Sequence, residues 1–377
     1  VVIGEVIGTA GVLAPLSYAL AALVAVTTAS AYAELGARLP TAGGPIDYIE
    51  EATDSWWLGT GVGWALLAAQ IVSAATITTG FIDYLGVFVS VPDWTVAVAL
   101  VSALAGVAVV GSKESAWFMG ITTSIGLVTL GAVVWATSEG IVAGVPAIFG
   151  ELSSPGEGSI RGLFAGAFLA VYSFIGFGDM AMTAEETKDV QTTLPRAILG
   201  SLVFVLICYL LVSLALVGTV EVAELADAEA PLVAATVAQG WPQWPVAIGS
   251  LFVIVNGALT QIVTGSRILL DLGRDGRGVP SWLGHVWDRT DTPAPATAVV
   301  AAVVLFLAVV VPLQALAEAT SFVILVVFAA VNASLVVLKG RGQPDEVPDV
   351  PRVLPMVGAV LCVGALVGQV VLRVTGG

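Results

Sequence analysis

Residues 202–218 read LVFVLICYLLVSLALVG, and no other feature constrains the chain as tightly. The run is apolar on every side. It shows neither the one-faced stripe of a surface helix nor the alternation of a membrane-barrel strand. Similar runs occupy 12–35, 57–85, 93–111, 115–137, 161–183, 195–219, 244–271, 294–312, 314–338 and 353–374. About 20 such residues cross the hydrocarbon layer as a helix. Ten spans are therefore expected, with residues 1–10 as the tail of an earlier helix. Composition agrees: 11% of residues are charged, against about 25% in a soluble domain. The fold class is all-α integral membrane, and the lipid bilayer is the first partner.

The thirteen Lys and Arg residues fix an orientation. Arg38, Lys113, Lys188, Arg196, Arg267, Arg274, Arg277, Arg289, Lys339, Arg341 and Arg352 lie on alternate connections; only Arg161 and Arg373 fall on the other side. Basic residues accumulate in cytoplasmic loops, which assigns those connections to the cytoplasm. Loop 220–241 holds Glu221, Glu224, Asp227 and Glu229 and no base, as an outer loop should. The net charge of −15 leaves no basic patch to neutralise phosphate, so nucleic acid is excluded as a partner. Trp56, Trp57, Trp94, Trp241 and Trp244 mark span ends as interfacial anchors. The opening VVIG has no Met, basic n-region or cleavage site. It reads as the cut end of a gene fragment rather than a signal peptide.

Enzymatic readings lack a constellation. The one histidine, His285, sits in a loop, which removes a Ser–His–Asp site within the bilayer and any His-based metal site. Neither a P-loop nor a dinucleotide fingerprint occurs. Asp83, Asp179 and Asp271 lie within or end the spans, and they make no obvious catalytic pair. Cys208 and Cys362 read as small apolar fillers. No catalytic residue, metal ligand or cofactor is assigned. Transport, a channel, or a non-transporting sensor or scaffold remain, and the spans lack the continuous polar stripe of a channel.

The segment FIGFGDMAMTAEETKDV (174–190) interrupts an apolar span with Gly176 and Gly178 and ends in charge. Freed backbone in lipid is tolerated where it lines a cavity or packs inside protein. Broken helices near the midplane hold substrate in secondary transporters. Ser173, Phe174, Ile175, Gly176 and Phe177 thus form either an unwound binding segment or a close-packing patch of small residues. Asp179 sits in a vestibule, couples a cation, or marks the end of the half-helix. Asn256, Thr260 and Thr264, spaced by four, share a helix face and either line a cation site or bond to helix neighbours. Arg267 and Asp271 have the spacing of a pair at the cytoplasmic mouth, as a gate or a plain interfacial pair. Gln70, near Ser73, faces a pore or a neighbouring helix.

Taken in order, AYAELGARLPTAGGPIDY (31–48), GWALLAAQIVSAATITTGFIDYL (63–85), GSKESAW (111–117), FIGFGDMAMTAEETKDVQTTLPRAI (174–198), GSRILLDLGRDGRGVPSWL (265–283), TPAPA (292–296) and LAEATSFVILVVFAAVN (316–332) resemble the amino acid–polyamine–organocation (APC) superfamily, in particular its cationic-amino-acid-transporter-like permeases. The resemblance implies a five-plus-five inverted-repeat core over 1–338, with repeats near 1–137 and 161–338, and a loop and extra C-terminal span over 339–377. Spans one and six are broken in that family, so 1–10 becomes the outer half of span one and the chain an N-terminally truncated member. It further implies secondary active transport of amino acids across the cytoplasmic membrane by alternating access, coupled to a proton or sodium cation, with amino-acid exchange (antiport) as the alternative. The substrate's amino group would meet Ser173, Phe174 and Ile175, with Phe177 as a gate. The chain departs from the family pattern at Gly126, where some proton-coupled members carry a span-five lysine, and at Gly178, where an acid is frequent.

Overall fold

The computed structural model describes the backbone of residues 2–375 apart from 111, 157, 288, 345 and 346, and the side chains of these except 112–119, 186 and 375. The Lys113 side chain and much of the 111–117 motif lie outside that set. Among the described residues the ten expected runs are helical over most of their length, with 161–183 interrupted. In chain order the helices are α1 (Ile3–Ala10), α2 (Ala14–Arg38), α3 (Pro45–Thr53), α4 (Trp56–Gly86), α5 (Asp93–Val110), α6 (Ser112–Ala136), α7 (Ser138–Ser153), α8 (Ser159–Ala170), α9 (Phe177–Ala181), α10 (Val190–Thr219), α11 (Val222–Asp227), α12 (Pro231–Ala238), α13 (Gln243–Arg274), α14 (Ala294–Val310), α15 (Leu313–Arg341) and α16 (Val353–Thr375). Among the described residues no strand forms beyond an isolated bridge from Trp287 to Thr292.

Eight helical stretches among the described residues are long and apolar enough to cross a membrane. The other two expected spans are α14, short at 17 residues, and α6, which passes only together with α7. Large apolar side chains such as Val128, Phe164, Phe306 and Val360 stand exposed on the outer surface, which suits lipid and not water. Gly11, at φ +61°, breaks the chain between α1 and α2, and a 3-10 turn spans Gly11–Leu13. A straight rod over 3–38 would run about 54 Å, well beyond the ~30 Å hydrocarbon layer.

Helix α7 is the longest of the elements the sequence reading did not anticipate, the others being α3, α11 and α12. The backbone leaves helical geometry at Thr137 (φ −105°, ψ 19°), and α7 departs from α6 at 67°. It packs on α10 through glycines. A Cβ on Gly218 would lie 1.9 Å from the Gly140 carbonyl oxygen and 2.6 Å from the Gly144 nitrogen, so the two backbones touch. Gly218→Val is expected to lower stability by about 3 kcal/mol, the upper end of overpacking costs, because backbone must move. Gly200→Ala, on the same helix with open space around the new methyl, should leave the melting temperature unchanged. Thermal melts of the two variants in detergent check this.

Basic residues gather at one end of the bundle, as the alternate-loop pattern requires. There Glu34, fully buried on α2, accepts from Arg38 (2.7 Å) and Lys339 of α15 (2.9 Å). It also takes the Val350 backbone N–H at 2.9 Å. The short helix α3 is tied on both flanks at this end. Arg277, just past α13, pairs with Glu50 and lies 5.6 Å over the Trp56 ring. Arg341 of α15 donates to the Glu51 and Ala52 carbonyls and to Asp54 (2.8 Å). The opposite end carries α11 and α12, with Pro231 packed on Gly4 of α1.

Candidate functional site

The span that begins as α8 loses its α-helical form after Ala170. Residues Val171–Phe174 tighten into a 3-10 turn, Ile175 and Gly176 form a turn, and α9 resumes at Phe177. The Ile175 amide reaches the Tyr172 carbonyl three residues back, and the Gly178 amide reaches that of Ile175. The interruption changes the winding rather than opening the chain fully: Gly176 keeps φ −59° and ψ −17°. It begins two residues before the expected binding segment, with Val171 and Tyr172.

Beside this interruption lies a cavity of about 360 Å³. Ser173, Ile175 and Gly176 line it from the broken span, Ser73 and Ile77 from α4, and Ser250, Ile254, Gly257 and Gln261 from α13. Helices α4 and α13 approach closely here because Gly257 faces Ile77, where a Cβ would already be at 3.3 Å. Gln261 donates to Ser73 at 2.8 Å, and Ser73 meets the Tyr172 hydroxyl at 3.2 Å. Three spans are thus joined by one chain of polar contacts at the cavity wall. Tyr18 of α2, stacked on Tyr209 of α10 with centroids 5.0 Å apart, completes this part of the lining.

On the lining the buried Gln261 Oε1 has no hydrogen-bond partner, while the Tyr18 hydroxyl faces Ser173 and the Ser250 hydroxyl faces Tyr84. Buried polar groups are nearly always hydrogen-bonded. An unpaired amide oxygen set among hydroxyls around a hollow is the arrangement of a site built for a polar ligand.

The cavity occupies the half of the bundle away from the basic end. On α4, which starts at the basic end with Trp56, its lining comes from Ser73, Ile77 and Tyr84; on α13, which ends there at Arg274, it comes from 250–261. Leu232 of α12 lines it from the other end. Toward the basic side the path is filled. Phe177 is 4% exposed, its ring edge-on to Tyr32 (5.5 Å) and stacked with Phe328 (5.2 Å). Tyr48 closes the same cluster against Tyr32.

The residues singled out in the sequence divide accordingly. Ser173, Ile175 and Gly176 reach the cavity, whereas Phe174 is buried edge-on against Tyr209 (5.5 Å) and Phe177 lies in the aromatic plug. Gln70 does not line this cavity; its amide donates to Asp179 Oδ1 at 2.7 Å and ties α4 to α9. Asn256 turns to α6 and donates to Thr123 at 3.0 Å, Thr260 donates to the Asn256 carbonyl at 2.9 Å, and Thr264 is half-buried. Arg267 is exposed and Asp271 half-buried at the basic end of α13, and no ion pair joins these two.

The sequence reading passed over Gln261, Tyr18, Tyr172 and Ser250. Gln261 carried a usable signal as an amide in an apolar span, like Gln70. It lies five positions from Asn256, about 140° around the helix, so attention to the Asn/Thr stripe led to a different face.

Comparison with known proteins gives matches over nearly the whole chain. A family model described as amino acid permease matches residues 1–376. An uncharacterized transporter of Mycobacterium tuberculosis (strain ATCC 25618 / H37Rv) is 34% identical over 353 residues, covering 92% of this chain and 76% of that protein. The mitochondrial cationic amino acid transporter 3 of Arabidopsis thaliana is 28% identical over 88% of this chain and 58% of its own length. The branched-chain amino acid permease BcaP of Bacillus subtilis (strain 168) is 26% identical over 94% of this chain and 80% of its own.

Proposed function

The chain belongs to the amino acid permease family, and from that premise we propose that it carries amino acids across the cell membrane by alternating access, driven by a cation gradient. Membership makes it a multi-pass membrane transporter and not an enzyme. The observation that carries the substrate site is the cavity at the interrupted helix, where the buried Gln261 Oε1 has no partner and the Tyr18 and Ser250 hydroxyls stand on the same lining. A buried unpaired polar group costs about 1–3 kcal/mol. A zwitterion supplies both an ammonium donor and carboxylate acceptors, so its entry relieves that cost.

In this reading Gln261 Oε1 accepts from the substrate ammonium, while the Tyr18 and Ser250 hydroxyls donate to the carboxylate. The basic end faces the cytoplasm, so the conformation is closed on that side by Tyr32, Phe177 and Phe328. Release inward requires the aromatic plug and the ties of Glu34 and α3 to part. The oxygen-rich face of α13 at Asn256, Thr260 and Thr264 is the proposed cation-coupling element, since oxygen ligands suit a hard cation. Asp179, held by Gln70, links the broken span to α4 during that movement, and Arg267 and Asp271 stand at the cytoplasmic mouth. The relatives carry names for cationic and for branched-chain amino acids, so family membership leaves the substrate's side chain open.

Uptake of labelled amino acids by the full-length protein in proteoliposomes tests the proposal. Accumulation is expected under an imposed proton or sodium gradient. Gln261→Leu is expected to lower initial uptake at limiting substrate about tenfold or more, the equivalent of one hydrogen bond to a charged group. Uptake that ignores both gradients but needs amino acid inside the vesicle would replace coupling by exchange. No movement of any amino acid would remove the transport reading.

A further inference from the structure

We propose that the substrate is a zwitterionic amino acid with an uncharged, bulky apolar side chain, held with that side chain against α6 and α10. The inference rests on the transport reading and names the substrate class of that site. Polar groups on the lining are contributed chiefly by the broken span, α4 and α13, with Tyr18 from α2. The α6 and α10 contribution is of another kind: Leu127, Leu130, Phe204, Val205 and Val212 are apolar. The α6 hydroxyl on this wall, Thr129, donates to the Ile125 carbonyl of its own helix at 2.9 Å. Tyr209 on α10 stacks its ring on Tyr18 and turns its hydroxyl to Ser173 of the broken span.

Among the described residues no Asp, Glu, Lys or Arg lines the cavity. The carboxylate on the adjoining helix α9, Asp179, is already engaged by Gln70. A lysine or arginine substrate would bring a second positive charge out of water with no anion to receive it, and a glutamate the reverse; unpaired buried charge is strongly disfavoured. The α-ammonium and α-carboxylate of any amino acid balance each other, so a neutral substrate needs no protein counter-charge. A cavity of about 360 Å³ exceeds what a glycine or alanine fills. The remaining volume, bounded by leucine, valine and phenylalanine side chains, rewards burial of a branched or aromatic group.

The experiment measures, for the full-length protein in proteoliposomes, uptake of labelled leucine, phenylalanine, alanine, lysine, arginine and glutamate in parallel. Leucine or phenylalanine is expected to have a kcat/KM at least about 30-fold above lysine, arginine and glutamate, and above alanine by about tenfold or more. Lysine or arginine equal to or better than leucine overturns the inference while leaving the transport reading intact; failure of all six removes the transport reading itself. Leu130→Glu supplies the counter-charge on the apolar wall. In a variant shown to be folded by gel filtration and melting, the lysine-to-leucine ratio is expected to rise about tenfold. A ratio unchanged from the parent would overturn the assignment of that wall to the substrate side chain.

Discussion

Replacing Gly176 by leucine is expected to weaken amino-acid binding by about 100-fold or more, a loss of about 2.7 kcal/mol, without unfolding the protein. The position permits both halves of that statement. Nothing lies within 4 Å of a Cβ built on Gly176, and the backbone already has φ −59°, so any L-residue is accommodated without strain. The glycine also lines the cavity, and a leucine places four carbon atoms against it. Gly176→Ala should have a much smaller effect, because one methyl takes little of the space. Direct binding measurement with a labelled amino acid, paired with a thermal melt, checks both predictions. An unchanged Kd in Gly176→Leu would move the substrate elsewhere.

Glu34→Gln is expected to cost about 3 kcal/mol of stability, the lower end of the penalty for removing one partner from a buried charge cluster. The Glu34 side chain is 0% exposed, and those of Arg38 and Lys339 are 7% exposed. Removing the carboxylate leaves two cations with little access to water. The loss stays at the lower end because Lys339 keeps Asp349 at 2.6 Å and Arg38 keeps the Gly342 carbonyl at 3.1 Å. Glu34→Gln combined with Lys339→Met should recover part of the loss, since one stranded charge leaves with its partner. Melting of the single and double variants in one detergent checks this; a double variant as unstable as the sum of the two singles would show that the groups do not interact.

The spans were legible because a bilayer asks one simple thing of sequence, about 20 apolar residues, and LVFVLICYLLVSLALVG answers it without help from the rest of the chain. The interrupted span was legible from Gly176 and Gly178, yet the two glycines do different things. Gly176 opens onto the cavity, whereas Gly178 lies inside α9, where its Cβ position would be 3.6 Å from the Tyr32 hydroxyl. One glycine therefore borders a hollow and the other a packed ring. Irregular winding starts at Val171, which no residue type announces. Phe174 was expected to meet the substrate and Phe177 to gate it; their rings enter aromatic contacts with Tyr209 and with Tyr32 and Phe328. Gln261 and Ser250 were missed because long-range packing of α4 on α13 decides which face of an apolar helix meets a hollow.

The two-sided fastening of α3 has a bearing on how the basic end can open. Arg277 holds one flank of this short helix and Arg341 the other, so the two long rods that carry those arginines share one bolt plate. Neither rod can swing away while its neighbour stays put without straining the plate. An intermediate with only one side sprung is thereby disfavoured. Opening of the basic end by one rod alone would have to break one of the two fastenings. A turnstile whose arms are pinned to a common hub either turns or stays locked.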